Sequence, residues 1–291
     1  MMNRQRQRVM QAGRAGFTLL ELLVVVAILA IVAGGIIVAY DGLEEKSGHG
    51  VATFNIGALD SSIRVFATLN GSHPNQYDSL LYSDDGTGTD GVALNILDEE
   101  LLEVTGGFAL TAPALDALQE AGIDTLRYVS GTLSYDNTAT QPSIPNRVFD
   151  NPTRGYGLGV PLAVGSVVPA VAGLGIDNFA GDELFDSTLA QNIAAGLDPT
   201  RAHVLVVVGI GNNCTLVKSG SSTASGGISE APFEHGEPQL YHRLLAVYHL
   251  GSSTDATLAN VAYFSKARFL GVLSSHGEPY DVEYAEFQGG N

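Results

Sequence analysis

An apolar run near the N-terminus is the feature that most limits what this chain can fold into. Residues 17–40 contain a single charged side chain, that of Glu21. As an α-helix this run is about 36 Å long, which is enough to cross a hydrocarbon layer of about 30 Å. Residues 1–16 carry four arginines and no acid, and basic flanks stay in the cytoplasm. The sequence predicts a single membrane span, with everything after Tyr40 on the far side.

The remainder of the chain is acidic. The 291 residues have a net charge of −17, although the first sixteen contribute four positive charges. Such a surface repels phosphate backbones, so we expect no nucleic acid to bind the exported part. The single cysteine, Cys214, cannot form an intramolecular disulfide. The exported part therefore depends on an ordinary packed core.

The residues at the start of the apolar run form a specific pattern. A basic segment ends at Gly16, and Phe17-Thr18-Leu19-Leu20-Glu21 follows directly. This order resembles the type IV prepilin family, which includes the pseudopilins of type II secretion. The resemblance implies cleavage between Gly16 and Phe17 by a membrane-embedded prepilin peptidase, N-methylation of Phe17, and assembly of the helices into a filament core. Other pilin-like subunits and an inner-membrane assembly platform are the further partners that it implies.

The carboxylate of Glu21 has a physical cost that its role must offset. An acid at the centre of a membrane helix costs at least about 2.5 kcal/mol, and less near the edge of the bilayer. In the family this carboxylate pairs with the freed amine of a neighbouring subunit, so each charge relieves the desolvation of the other. A plain signal anchor with an acid at its helix N-terminus is the alternative. That alternative leaves Gly16 and Phe17 unexplained.

The chain divides into four predicted segments. These are a basic leader (1–16), a transmembrane and filament-core helix (17–40), an amphipathic helix (41–71) and an exported globular head (72–291). One apolar face of the third segment recurs at steps of four and three residues, and consists of Ala52, Ile56, Leu59, Ile63 and Phe66. Asn70-Gly71 predicts the end of this helix. Gly48 and Gly50 predict a bend or interruption of the helix between residues 41 and 50. Gly34-Gly35 is either a second place where the helix loosens or a surface that allows close packing of helices in the membrane.

The head is predicted to combine helices and strands. Residues 98–129 are typical of helical pieces, one of which opens at Thr111-Ala112-Pro113 and ends near Gly122. The uncharged residues 156–176 contain seven glycines and prolines, which favours a packed loop over a second membrane span. Strands are predicted at 202–208, 240–250 and 260–273, with an edge strand at 280–287. The expected fold is α+β, with the long N-terminal helix packed on an antiparallel β-sheet.

Two features of the head could bind metal. Asp84, Asp85 and Asp90 lie in one glycine-rich loop and could supply oxygen ligands to Ca²⁺, although the same composition is typical of a bare turn. The tetrapeptide His-Gly-Glu-Pro occurs at 235–238 and 276–279. The two copies could form a metal site if they met, but we favour two turns that each precede a strand. No other cofactor is predicted.

The segment after the amphipathic helix bears on the choice among filament systems. Residues 70–74, Asn-Gly-Ser-His-Pro, resemble the segment that follows the helix in major pseudopilins, with His73 where tyrosine is usual. The chain has no tryptophan and so lacks the Asp-Pro-Trp-Gly motif of those proteins. We favour a type II secretion pseudopilin over a type IV pilus or DNA-uptake pilin. A membrane-anchored exported hydrolase is least favoured, because no nucleophile elbow or zinc-protease motif is present. We therefore expect a non-enzymatic subunit, anchored in the inner membrane with a periplasmic head.

Overall fold

The chain opens on one long helix, α1 (Leu19–Asn70). The structure is a computed structural model, and it describes residues 19–83, 92–93, 97–130, 156–172, 193, 195–198, 201–217, 227–232, 234, 241–254 and 260–288. Contacts divide the chain into two units, Met1–Glu45 and Lys46–Asn291. The backbone stays helical through Gly34-Gly35 and from residue 41 to residue 50. The predicted interruption between 41 and 50 is therefore wrong, whereas the alternative, a bend, stays a prediction.

The second half of α1 buries the face that the periodicity indicates. Ile56, Leu59 and Ile63 are all at most 2% exposed, and they pack in the same core as the sheet of the head. The helix ends at Asn70, because Gly71 has a φ of +74° and its N–H donates to the carbonyl of Ala67 at 2.9 Å. A left-handed residue at this place is a common way to end a helix, and glycine adopts it without strain. The division of the chain into four segments stays a prediction.

The head alternates helices and strands. In the described part these elements are β1 (Tyr77–Ser83), β2 (Val92–Ala93), α2 (Glu99–Val104), β3 (Thr105–Ala109), α3 (Ala112–Ala121), β4 (Thr125–Ser130), β5 (Tyr156–Pro161), β6 (Val167–Ala172), β7 (Ala202–Gly209), β8 (Leu245–Ser253), β9 (Ala262–Leu273) and α4 (Tyr280–Phe287). The helix predicted to open at Thr111 is α3, with Thr111 as its N-cap residue and Gly122 in the left-handed conformation at its end. The fold class is α+β, as predicted.

Nine described strands form one mixed sheet. Its path runs β3-β6-β7-β1-β4-β5, and β8 extends it by pairing with β7 and β9. The described pairings are antiparallel except that of β1 with β4, which is parallel. Strand β7 is buried along its whole length, and its side chains alternate between two cores. Val204, Val206 and Val208 join α1 and α3 on one face, whereas Leu205 and Val207 join α2 on the other.

Three short stretches differ from the sequence expectation. Within 98–129, residues 105–109 and 125–130 are the strands β3 and β4 rather than helix. Within 156–176, the predicted loop is wrong, because β5 and β6 occupy most of its described part. Pro169 lies where β6 pairs only with β3, before the pairing with β7 begins at Ala170. A proline is tolerated there because its missing N–H leaves no ladder bond unmade.

The predicted edge strand at 280–287 is also wrong, since these residues form the helix α4. Pro279 has extended backbone at the N-cap position, and Asp281 and Glu283 lie in the first turn, where the helix dipole favours acids. Two glycines of α1 give α4 a flat surface. A Cβ added at Gly50 would lie 2.9 Å from Phe287, and one at Gly57 would lie 3.5 Å from Tyr280. The two helices therefore run in opposite directions with aromatic rings over the glycines.

His73 is part of an aromatic cluster beneath the end of α1. Its ring packs edge-on against Tyr248 with centroids 5.4 Å apart, and against Phe269 at 6.0 Å. Burial lowers the pKa of His73 to about 4, with smaller contributions from the charges of Lys266 and Arg64. The Nδ1 atom of His73 is buried and has no hydrogen-bond partner among the described residues. The neutral histidine thus serves as an aromatic packing residue.

The depressed pKa of His73 predicts an acid-sensitive head. In the unfolded chain His73 is protonated below a pH of about 6.5, whereas in the folded head it stays neutral down to a pH of about 4. The stability that His73 contributes is therefore complete above pH 6.5 and is lost as the pH falls towards 4. Between pH 7 and pH 4.5 the free energy of unfolding should fall in both proteins. We expect the fall to be about 1–2 kcal/mol smaller in His73→Phe than in the wild type, allowing for solvent screening. Urea unfolding at both pH values measures this; equal losses in the two proteins would contradict it.

Candidate assembly segment

The first part of α1 has the properties of a membrane-spanning and filament-forming segment. Leu19–Ile36 is long and apolar enough to cross a membrane, and no other described helix meets that description. None of this stretch is buried within the chain. Its large side chains are exposed in every direction around the helix; the exposed fraction is 83% for Leu19 and 76% for Ile31, for example. A helix that is apolar on all sides is built for lipid or for other apolar helices.

Glu21 is the one charged residue of this segment. It lies in the first turn of α1 and its side chain is exposed. The N–H groups of a helix N-terminus carry a partial positive charge, which favours an acid at this end. In the sequence Glu21 lies four positions after Phe17, the residue that follows the predicted cleavage site. Gly16 and Phe17 themselves lie outside the described residues.

The N-terminal pattern has a recognised counterpart among protein families. Residues 12–37 match the model of the prokaryotic N-terminal methylation motif, which is the signature of type IV pilin-like and pseudopilin proteins. The N-terminal segment thus carries the signature of pilin-like proteins, and residues 12–37 include the predicted Gly16, Phe17 and Glu21. No curated protein and no solved structure matches the chain. The motif and the apolar helix together fit a membrane-anchored structural subunit.

The predicted metal residues of the head fall mostly outside the described part. Asp84, Asp85 and Asp90 lie there, as does the first His-Gly-Glu-Pro at 235–238. The second copy, at 276–279, is described and forms a turn: the N–H of Gly277 donates to the carbonyl of Ser274 at 3.1 Å, and Gly277 has a φ of +96°. This turn leads into helix α4, not into the strand that we expected. Calcium binding by the aspartate loop stays a prediction.

Two buried histidines form a structural pair. Nδ1 of His203 lies 3.1 Å from Nε2 of His249. Nε2 of His203 must carry a proton, because it lies 2.8 Å from the carbonyl oxygen of Asp198, which only accepts. Nδ1 of His203 is then the acceptor, and His249 donates from Nε2. Burial lowers the pKa of His249 to about 4, aided by His203, and the contact between the two rings links β7 to β8.

Sequence reasoning missed one group of side chains, that of His49, Glu283 and Glu286. Nδ1 of His49 lies 3.1 Å from Oε2 of Glu283 and 3.4 Å from Oε2 of Glu286. One potential ligand atom from each of the three lies within 4.8 Å of the others. His49 belongs to α1 and the two acids to α4, more than 230 positions away. The spacing of Glu283 and Glu286 could have indicated this group, because residues i and i+3 lie on the same face of a helix. That inference requires 280–287 to be a helix, whereas the sequence predicted a strand there.

Proposed function

We propose that this protein is a pilin-like structural subunit of a type II secretion pseudopilus. Residues 17–40 anchor it in the inner membrane, with the N-terminus cytoplasmic and the head periplasmic, until an inner-membrane assembly platform moves it into the filament. Prepilin peptidase cleaves between Gly16 and Phe17, and Phe17 is N-methylated. The observation that carries this proposal is the methylation motif at 12–37, within which an apolar helix begins at Leu19 and has Glu21 in its first turn.

Glu21 acts as the assembly determinant in this account. Cleavage creates an amine on Phe17 in an apolar setting, where an unpaired charge is costly. In the filament the carboxylate of Glu21 pairs with the amine of a neighbouring subunit. The apolar helices then pack side by side around these pairs, which removes the lipid-facing surface and neutralises both charges.

The second half of α1 offers a further surface for neighbouring subunits. Its outward face exposes large apolar side chains, namely Val51, Phe54, Val65 and Leu69, with Phe54 75% exposed. These lie away from the buried face of Ile56, Leu59 and Ile63. Exposed apolar side chains on one helix face are typical of interaction surfaces, so this face supports the formation of a homo- or hetero-filament.

The segment after α1 supports the secretion system over a pilus. The turn at Asn70-Gly71 ends the helix, and His73 packs between aromatic rings where the major pseudopilins have tyrosine. A ring at this position is therefore compatible with the pseudopilin pattern even though the residue type differs. The head is a structural and interaction domain in this proposal, with no catalytic role.

Deletion of the encoding gene distinguishes the filament systems. We expect the deletion strain to accumulate secreted enzymes in the periplasm while its pilus-dependent motility and DNA uptake are unchanged, and we expect the wild-type chain to restore export. Enzyme activity in culture supernatant and in periplasmic extract measures the first effect. Normal export together with lost motility or lost DNA uptake would assign the protein to a type IV pilus or to a DNA-uptake pilus instead.

A further inference from the structure

The junction between α1 and α4 holds a ligand set that the pilin-like role does not use. The set consists of His49 on α1 and of Glu283 and Glu286 on α4, one turn apart. A tetrahedral ion with bonds of about 2.0–2.1 Å holds its ligand atoms about 3.4 Å apart. The distances from Nδ1 of His49 to the two carboxylates, 3.1 Å and 3.4 Å, are close to that separation. All three atoms lie within 4.8 Å of one another, so one metal ion can contact all of them.

The burial of Glu283 requires a cationic partner. Its side chain is 2% exposed, compared with 28% for His49 and 39% for Glu286. A carboxylate this deep is costly to desolvate unless it is paired. The imidazole of His49 is hydrogen-bonded to Glu283 and is also subject to the charges of Glu286 and Glu278. One imidazole among three carboxylates leaves the site negative even when the ring is protonated.

A further buried carboxylate, that of Glu234, lies near the same place. Its Oε2 accepts the N–H of Ser275 at 2.6 Å, whereas its Oε1 is buried and has no hydrogen-bond partner in the described part of the chain. The residue is 7% exposed. Burial raises the pKa of Glu234, and the charge of Glu283 raises it further. Glu234 is within electrostatic reach of Glu283, and its orphaned Oε1 is an observation independent of the three ligands that also favours a bound cation.

We propose that His49, Glu283 and Glu286 bind a divalent transition-metal ion that fixes helix α4 to helix α1. The imidazole nitrogen favours zinc-like ions over calcium, which takes oxygen ligands. Two sides of the site are open to solvent through His49 and Glu286, so a water can complete the coordination. The contacts of Phe287 with Gly50 and of Tyr280 with Gly57 already hold the helices in register. The ion then acts as a clasp on the C-terminal element of the head, and this role does not depend on which filament the subunit joins.

Zinc binding to the full-length protein in detergent tests this proposal. After removal of metals with EDTA and dialysis, we expect titration calorimetry to detect one zinc ion per chain, and zinc to raise the melting temperature. Glu286→Gln should bind zinc about tenfold more weakly or worse. This residue is half-exposed, so its variant retains the fold. Glu230→Gln is the matched control, because Glu230 is exposed and is not one of the three ligands, and it should bind as the wild type does.

Calcium and magnesium serve as the comparison ions. We expect calcium and magnesium to bind the wild type more weakly than zinc does. We also expect neither ion to change the melting temperature of the wild type or of Glu286→Gln. The proposal is overturned if zinc does not bind at one equivalent, if Glu286→Gln retains the wild-type affinity, or if calcium binds as tightly as zinc. In the first two cases His49 is an ion-pair partner of the acids and this junction holds no zinc site, and in the third the chain does not select a zinc-like ion.

Discussion

Replacement of Glu21 by alanine is expected to leave the protein processed and inserted in the membrane but unable to form filaments. The alanine variant still has the apolar helix and the basic leader, so membrane insertion and cleavage remain. It lacks the carboxylate that balances the amine of a neighbouring Phe17. Removing one partner of a buried ion pair costs about 3–5 kcal/mol, and each 1.4 kcal/mol changes an equilibrium tenfold. Subunit affinity should therefore fall by about a hundredfold or more.

Sheared-filament recovery and electron microscopy of overexpressing cells measure this loss. Glu120→Ala is a suitable control because Glu120 is an exposed acid on α3, outside the N-terminal motif. Glu21→Gln should fail as Glu21→Ala does, since the amide keeps the shape of the side chain but not its charge. We expect Glu120→Ala to form wild-type amounts of filament. The same amounts from either Glu21 variant would refute the pairing role.

Replacement of Gly16 by leucine is expected to block maturation altogether. A glycine lets a protease approach the backbone closely, because it has no side chain to exclude the enzyme. With leucine there, residues 1–16 stay attached and the amine of Phe17 is never released, so its methylation and its pairing with Glu21 are both lost. Intact mass of the membrane-extracted protein reports retention of the leader. Gly13→Leu changes the same residue type within the leader, away from the junction, and should mature normally; normal maturation of Gly16→Leu would contradict this account.

The elements that local patterns determine were predictable from the sequence. The buried face of α1 repeats every three to four residues, and one helix satisfies that period whatever it packs against. The β7 strand is a run of apolar residues because both of its faces are buried. The N-terminal motif was equally accessible, because it is a short linear segment whose residue types and spacing identify it. No long-range pairing is needed to recognise any of these features.

The elements that depend on distant partners were not predictable in the same way. Tyr280, Val282 and Tyr284 alternate as in a strand, but α4 forms because Gly50 and Gly57 offer a flat surface and His49 faces its acids. The glycines of β5 suggest a loop in isolation. In the fold, Gly159 lies opposite Arg127 of β4, and a Cβ there would come within 3.2 Å of Thr125. Tertiary contacts of this kind override local propensity.

The most direct test of the central claim is the intact mass of the wild-type protein, extracted from the membranes of cells with and without prepilin peptidase. The account predicts that peptidase-positive cells yield a chain that begins at Phe17, has lost residues 1–16 and carries one added methyl group. Cells without the peptidase should yield the full chain of 291 residues. An uncleaved chain in peptidase-positive cells would show that the segment is an ordinary membrane anchor and that the protein is not a maturing filament subunit.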